Sequence, residues 1–276
     1  MPRSTTSAGT RRSLLGLLLI AELVVAAMLV GRTSAPAVAP VPVTTPAAST
    51  AASKTLTLTD GRTVELMSLG GPQTSPLLDR VSGDMDDAAS AVTAFWSSDW
   101  PGEIVIVATA TDDQFRALAG GGSDIAAATT GQRIVFAPGA AGMSDAALRI
   151  VLRHELFHFA ARAQTAADAP RWLTEGTADF VARPPVPRPG PARAAELSRL
   201  PSDVDLDTAG PTRTLAYDRA WWFTRFVAET DGTAALKRLY ERACGPAHPG
   251  IDAAVSETLG RPLGDVLADW RRWLSV

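Results

Sequence analysis

Residues 148–159, LRIVLRHELFHF, are apolar on nearly every face of a helix, yet they carry two imidazoles and a carboxylate. A helix of that kind is buried, and ionisable groups buried together require partners or a bound ion. No other stretch limits the fold as tightly, because whatever packs here must bring a complementary group to His154, Glu155 and His158. Positions four apart lie about 40° apart around the axis and one turn along it, so both imidazoles can reach one ion. Glu155 falls beside them. A single zinc ion is the simplest partner. A carboxylate next to it but not bound to it can take a proton from activated water and pass it to a leaving amine. The chain has three histidines, and two of them are here.

A catalytic zinc takes three protein ligands and keeps one position open, so a third ligand is required. The first downstream carboxylate in helical context is Glu175, in the segment Arg171 to Phe180, RWLTEGTADF. Asp179 lies four residues on and shares its face. One of the two carboxylates can bind the metal, and the other can accept the free ring N–H of a bound histidine and fix its tautomer.

The pattern HExxH, a short spacer, then W-L-x-E-G-x-A-D resembles the gluzincin superfamily of zinc metallopeptidases, in particular its peptidase MA-like members. The likeness covers about Ser144 to Phe180. It implies His154, His158 and Glu175 as zinc ligands, Glu155 as general base and Asp179 as the carboxylate behind a ligand. It also implies a small sheet whose edge strand, here Asp124 to Thr129, pairs with an extended peptide substrate. No Gly-x-Met-Glu-Asn segment precedes the zinc helix, so the means by which zinc aminopeptidases hold a substrate N-terminus is missing. The metzincin continuation requires Gly and His where Ala161 and Gln164 stand. Gly176-Thr177-Ala178-Asp179 resembles the start of the aspzincin motif, which would make Asp179 the third ligand. The Tyr-Gly that should follow is replaced by Ala182-Arg183, so Glu175 is preferred.

Peptide hydrolysis develops negative charge on the carbonyl oxygen, and a donor near the metal is expected to meet it. Tyr217, read as opening the helix YDRAWWFTRF, is the first candidate, since related peptidases place a tyrosine or histidine downstream in that role. His248, in the loop Gly245 to Pro249, is the second, although a solvated histidine suits such a loop better. Trp221, Trp222, Trp270 and Trp273 fall at core spacing. Cys244 is the only cysteine, so no intrachain disulfide braces the chain.

Residues 1–12 are expected to form a cytoplasmic basic tip, 13–31 a transmembrane signal anchor, 32–53 a Pro/Ala/Thr-rich linker and 54–276 the peptidase domain. Residues 13–31 hold one charge, Glu22, and approach the roughly twenty residues that cross a bilayer. Arg3, Arg11 and Arg12 precede them, which orients the remainder outward. Cleavage near Ala37-Val38-Ala39 would instead release the domain, and Thr10 to Leu15 partly matches a twin-arginine export signal. A net charge of −3, with no basic cluster beyond the tip, argues against nucleic-acid binding.

Within the domain, strands are expected at Arg62 to Met67 and Glu103 to Ala108, with a hairpin from Asp124–Thr129 and Arg133–Ala137. Helices are expected around Leu78 to Phe95, at Asp112 to Ala119, from a Ser144 cap to Ala163, and from an Asp168 cap to Ala182. Further helices follow at Tyr217–Thr230, Thr233–Arg242, Ile251–Leu259 and Leu263–Leu274. Strands first and helices afterwards make the class α+β: a small mixed sheet followed by a helical zinc-binding subdomain. The expected activity is extracytoplasmic, zinc-dependent hydrolysis of a peptide or protein substrate. The rival is an inactive cell-surface binding module, for which an intact Glu155 would have no use.

Overall fold

A computed structural model describes residues 52–275 apart from 121 and 123. The basic tip, the apolar run at 13–31 and nearly all of the linker lie outside the described residues. Among the described residues no helix is long and apolar enough to cross a membrane.

The five-stranded sheet runs β1-β2-β3-β5-β4, from Ala52–Thr57 (β1), Thr63–Ser68 (β2), Glu103–Ala108 (β3), Ala127–Thr129 (β4) and Ile134–Phe136 (β5). Both edge strands are antiparallel to their neighbours, and the inner pairs β2–β3 and β3–β5 are parallel. Because side chains alternate across a strand, the sheet sorts its apolar residues onto two faces. Val64, Leu66, Ile104, Ile106, Ile134 and Phe136 join the main core, while Val107, Val135 and Ala128 pack with Phe115 and Ala119 of α2 (Asp112–Ala119). The parallel pair β2–β3 is bridged by α1 (Ser75–Phe95), whose Leu78, Val81, Met85 and Val92 face the core. Thr111 caps α2 through the Gln114 amide, and Gly120 ends it in the left-handed region at φ 77°.

The remaining chain is helical, as the α+β reading expects: α3 (Asp145–Ala161), α4 (Arg171–Ala182), α5 (Pro191–Leu197), α6 (Asp203–Asp207), α7 (Pro211–Thr230), α8 (Thr233–Cys244), α9 (Ile251–Leu259) and α10 (Leu263–Leu274). Ser144 caps α3 by accepting from the Ala147 amide at 3.3 Å. Leu148, Val151, Leu152, Leu156, Phe157 and Phe159 are all fully buried. Its Arg149 and Arg153 reach Asp84 and Asp87 on α1 at 3.1 and 3.3 Å. Helix α4 is held between α3 and α7.

Several local expectations are corrected. Strand β1 is an additional edge strand and takes in Ala52 and Ser53, which were placed in the linker; five of its six residues are exposed, so no buried alternation marks it. The hairpin strands shrink to three residues each. Helix α7 begins at Pro211, whose fixed φ suits a first turn after Gly210, so Tyr217 lies inside the helix rather than at its start. Pro170, not Asp168, occupies the cap position of α4, and Asp168 faces His248 instead. Helices α5 and α6 were not anticipated.

Candidate metal centre

Helix α3 delivers His154 and His158 from one face, and α4 approaches that face with Glu175. His154 Nε2 and His158 Nε2 are 2.9 Å apart. Glu175 Oε2 lies 3.2 Å from the first and 3.5 Å from the second. These three residues form one group able to hold a metal ion. All three are removed from water to a large degree, His154 and Glu175 almost wholly.

The donor set fits zinc. Bonds of about 2.0–2.1 Å in a tetrahedron set ligand atoms roughly 3.3 Å apart, close to the sides of this triangle. Among the described residues, the buried carboxylate oxygens Glu155 Oε1 and Glu175 Oε1 have no hydrogen-bond partner. Such orphaned atoms are costly in a core and mark where an ion or a solvent molecule belongs.

Asp179, four residues after Glu175, lies outside the triangle. Its Oδ1 accepts from His154 Nδ1 at 2.9 Å, which directs His154 Nε2 toward His158 and Glu175. Asp179 Oδ2 faces the buried guanidinium of Arg183 at 2.6 Å, and Arg183 also pairs with Asp218 at 2.9 Å. Burial disfavours the charge of Arg183, but Asp179 and Asp218 outweigh that and raise its pKa. The same contest governs His154: burial opposes its charged form, yet Asp179 and Glu175 raise its pKa to about 10. Glu175 is held below the ordinary carboxylate range, because the two imidazoles overcome the burial that would raise it.

Glu155 emerges on the side of the sheet. Thr129 Oγ1, at the end of edge strand β4, donates to Glu155 Oε2 at 2.6 Å and leaves Oε1 unpartnered. Burial raises the pKa of Glu155 against the pull of His154, His158 and the Thr129 hydrogen bond. Thr129 was not singled out in the sequence, where nothing distinguishes it from its neighbour Thr130.

Tyr217 is buried in α7 with its ring centroid 6.4 Å from that of His154. Burial first, then the nearby carboxylates of Glu175, Asp179 and Glu155, raise its phenol well above its ordinary pKa. His248 is not brought to the centre. It is half-buried in its loop, with Nε2 3.3 Å from Asp168 Oδ1. Trp221, Trp222, Trp270 and Trp273 pack in the helical core, as their spacing implies.

A cavity of about 540 Å³ adjoins the triangle through His158 and is also lined by Thr129, Thr130 and Gly131.

A family model described as the eCIS core domain matches residues 107–166, from the end of β3 through α3. No curated protein matches the chain. The solved structures it is similar to include a two-domain M1 zinc metallopeptidase variant bound to L-arginine, with TM-score 0.48, 15% identity and coverage of 82% of this chain and 52% of that one. An M1 zinc metallopeptidase from Deinococcus radiodurans gives TM-score 0.47 and 17% identity over 82% of this chain and 51% of that one. Legionella pneumophila aminopeptidase A in complex with aspartic acid gives 0.47 and 14% over 80% and 27%. The chain thus spans about half the length of the first two and about a quarter of the third.

Proposed function

We propose that this chain is a gluzincin-type zinc peptidase that hydrolyses a peptide or protein substrate outside the cytoplasmic membrane, held there by residues 13–31. The observation that carries the reading is the triangle of His154, His158 and Glu175 with the unpartnered Oε1 of Glu155 beside it.

An ion bound by three protein ligands with one position open lowers the pKa of water and polarises a carbonyl. The chain's own groups supply the rest. Glu155 Oε1 takes the proton of the attacking water and later delivers it to the leaving amine, and the raised pKa of this buried carboxyl suits both transfers. Thr129 holds the other oxygen of Glu155 in place. Asp179 keeps the His154 proton on Nδ1. The Tyr217 hydroxyl is the candidate donor to the charge developing on the carbonyl oxygen. The free edge of β4 is where an extended substrate would pair, adding a strand next to Thr129. The outward placement is supported by Arg3, Arg11 and Arg12 ahead of the apolar run.

The deciding experiment compares the full chain with Glu155→Gln for zinc content and for cleavage of casein and a peptide library. Both should bind one zinc per chain, and the variant should lose turnover by about a hundredfold or more. Equal turnover in both removes the mechanism. Zinc binding without cleavage by either protein leaves a metal-bearing binding module.

A further inference from the structure

The cavity beside His158 contains charge that the proposed hydrolysis does not use. Its lining includes Arg116, Arg162 and Arg171 and, among the described residues, no aspartate or glutamate. Leu118 and a series of alanines from α2 and from the segment after α3 make the rest of its wall mostly apolar.

The three arginines differ in what already satisfies them. Arg116 is exposed and pairs with Asp113 at 2.6 Å, and Arg171 pairs with Asp207 at 3.0 Å. Among the described residues no carboxylate lies within ion-pairing distance of Arg162, and burial alone acts on its charge. Its guanidinium carbon instead stacks 3.7 Å over the Phe159 ring, and Nη1 donates to the Phe159 carbonyl at 3.2 Å. The group is therefore held in place with most of its donors uncommitted. Partial burial also lowers its pKa, so part of its hydration has been lost without a counter-charge in return.

Its position is set by the helix. Arg162 follows His158 by four residues, and its backbone is still helical at φ −53° and ψ −38°, so it continues the face that carries the two histidines. Four residues advance about 6 Å along the axis, a distance an extended peptide covers in roughly two residues.

We propose that this cavity is a carboxylate subsite, so that the peptide taken by the metal centre carries an acidic group within about two residues of the scissile bond, recognised by Arg162. This rests on the peptidase reading above. The carboxylate can belong to an internal Asp or Glu side chain or to the substrate's C-terminus, and an apolar wall ending in a guanidinium suits either. Among the described residues the cavity wall offers a substrate ammonium no acidic partner, which sets the site apart from one that grips a free N-terminus.

The test is binding without turnover. Full-length Glu155→Gln protein loaded with zinc is titrated with dye-labelled nonapeptides in which Glu, Gln or Lys is moved along a fixed sequence, each made as the C-terminal acid and as the amide. At one position Glu should bind about tenfold tighter than Gln, with Lys weakest, because a hydrogen bond to a charged group replaces a neutral one. An internal subsite keeps this preference in the amides. A terminal subsite shows it instead as a preference for acid over amide. Adding Arg162→Met should reduce the preference to within about twofold while zinc content and melting temperature stay in place, and Arg162→Lys should restore part of it. Equal affinity of all peptides, no binding, or a preference that survives Arg162→Met overturns the subsite. If the acidic preference holds but the unaltered chain cleaves none of these peptides, the peptidase reading fails and the subsite stands.

Discussion

Replacing Gly176 with alanine sets two physical effects against each other. Gly176 follows Glu175 directly on α4, and helix propensity alone would make alanine more stable by about 1 kcal/mol. Its neighbours argue the opposite. A Cβ there would lie 2.6 Å from the Ala220 carbonyl oxygen, 2.8 Å from the Ala220 carbonyl carbon and 3.0 Å from Thr224 Cγ2. The obstacle is the backbone of α7, which no rotamer change can move. The helices would have to part by roughly 0.8 Å before methyl and oxygen reach ordinary contact. Overpacking of this sort costs about 1–3 kcal/mol. Separation also weakens the hydrogen bond from Thr224 Oγ1 to the Gly176 carbonyl, 2.8 Å long, for about 1 kcal/mol more. The net expectation is destabilisation by about 1–3 kcal/mol, or a melting temperature lower by about 3–10 °C for a domain of this size. The metal centre should suffer further, since Glu175 moves with its neighbour relative to His154 and His158. Calorimetric melts of the metal-free protein isolate the packing cost, and repeats with zinc show whether the ligand-induced stabilisation shrinks as well. A melting temperature that is unchanged or raised would mean that α4 and α7 are not in tight backbone contact at Gly176.

Three other perturbations test separate parts of the centre. Asp179→Asn keeps the shape but removes the charge that orients His154 and pairs with Arg183, so zinc affinity should fall about 10–100-fold in a chelator competition, and an unchanged affinity would strip Asp179 of its orienting role. In the metal-free protein His154 carries a proton at neutral pH, because its pKa rises from 6.5 to about 10; that contribution to stability is complete below 6.5 and is lost as pH climbs through 10. Zinc uptake at pH 7.5 should therefore release this proton, and titration calorimetry in buffers of different ionisation enthalpy should give different heats; identical heats would contradict it. Burial pushes the Cys244 thiol far above its ordinary pKa, so the native chain should resist maleimide labelling until denatured, and rapid labelling would show that the α8 terminus is open.

The elements legible in the sequence were those whose burial is periodic. EIVIVA is a strand of the sheet interior, and the 3–4 spacing from Leu78 to Val92 is a helix with one buried face. Strand β1 left no such trace, because an exposed edge strand needs only backbone partners and its composition resembles the linker before it. Helices α5 and α6 are 7 and 5 residues long and bury two residues and one, too few to establish a period. The early start of α7 was written in Gly210-Pro211, a first-turn proline signal that the tyrosine at 217 obscured.

The candidate site divides along the same line between what one helix determines and what two determine together. Spacing alone puts His154 and His158 on one face, but which of Glu175 and Asp179 closes the triangle depends on how α4 crosses α3. His158 meets Glu175, while His154 meets both Glu175 and Asp179, so the two helices run antiparallel past the centre. Each then continues its own stripe by four residues to an arginine, Arg162 after His158 and Arg183 after Asp179, and the antiparallel crossing sends these to opposite ends. At the Asp179 end Arg183 is buried and neutralised by two carboxylates. At the His158 end Arg162 borders the cavity with none among the described residues. The sequence shows both arginines at equivalent spacing and cannot say which is spent on structure. The closed end holds His154 in register, and the open end is left with a cation for whatever enters.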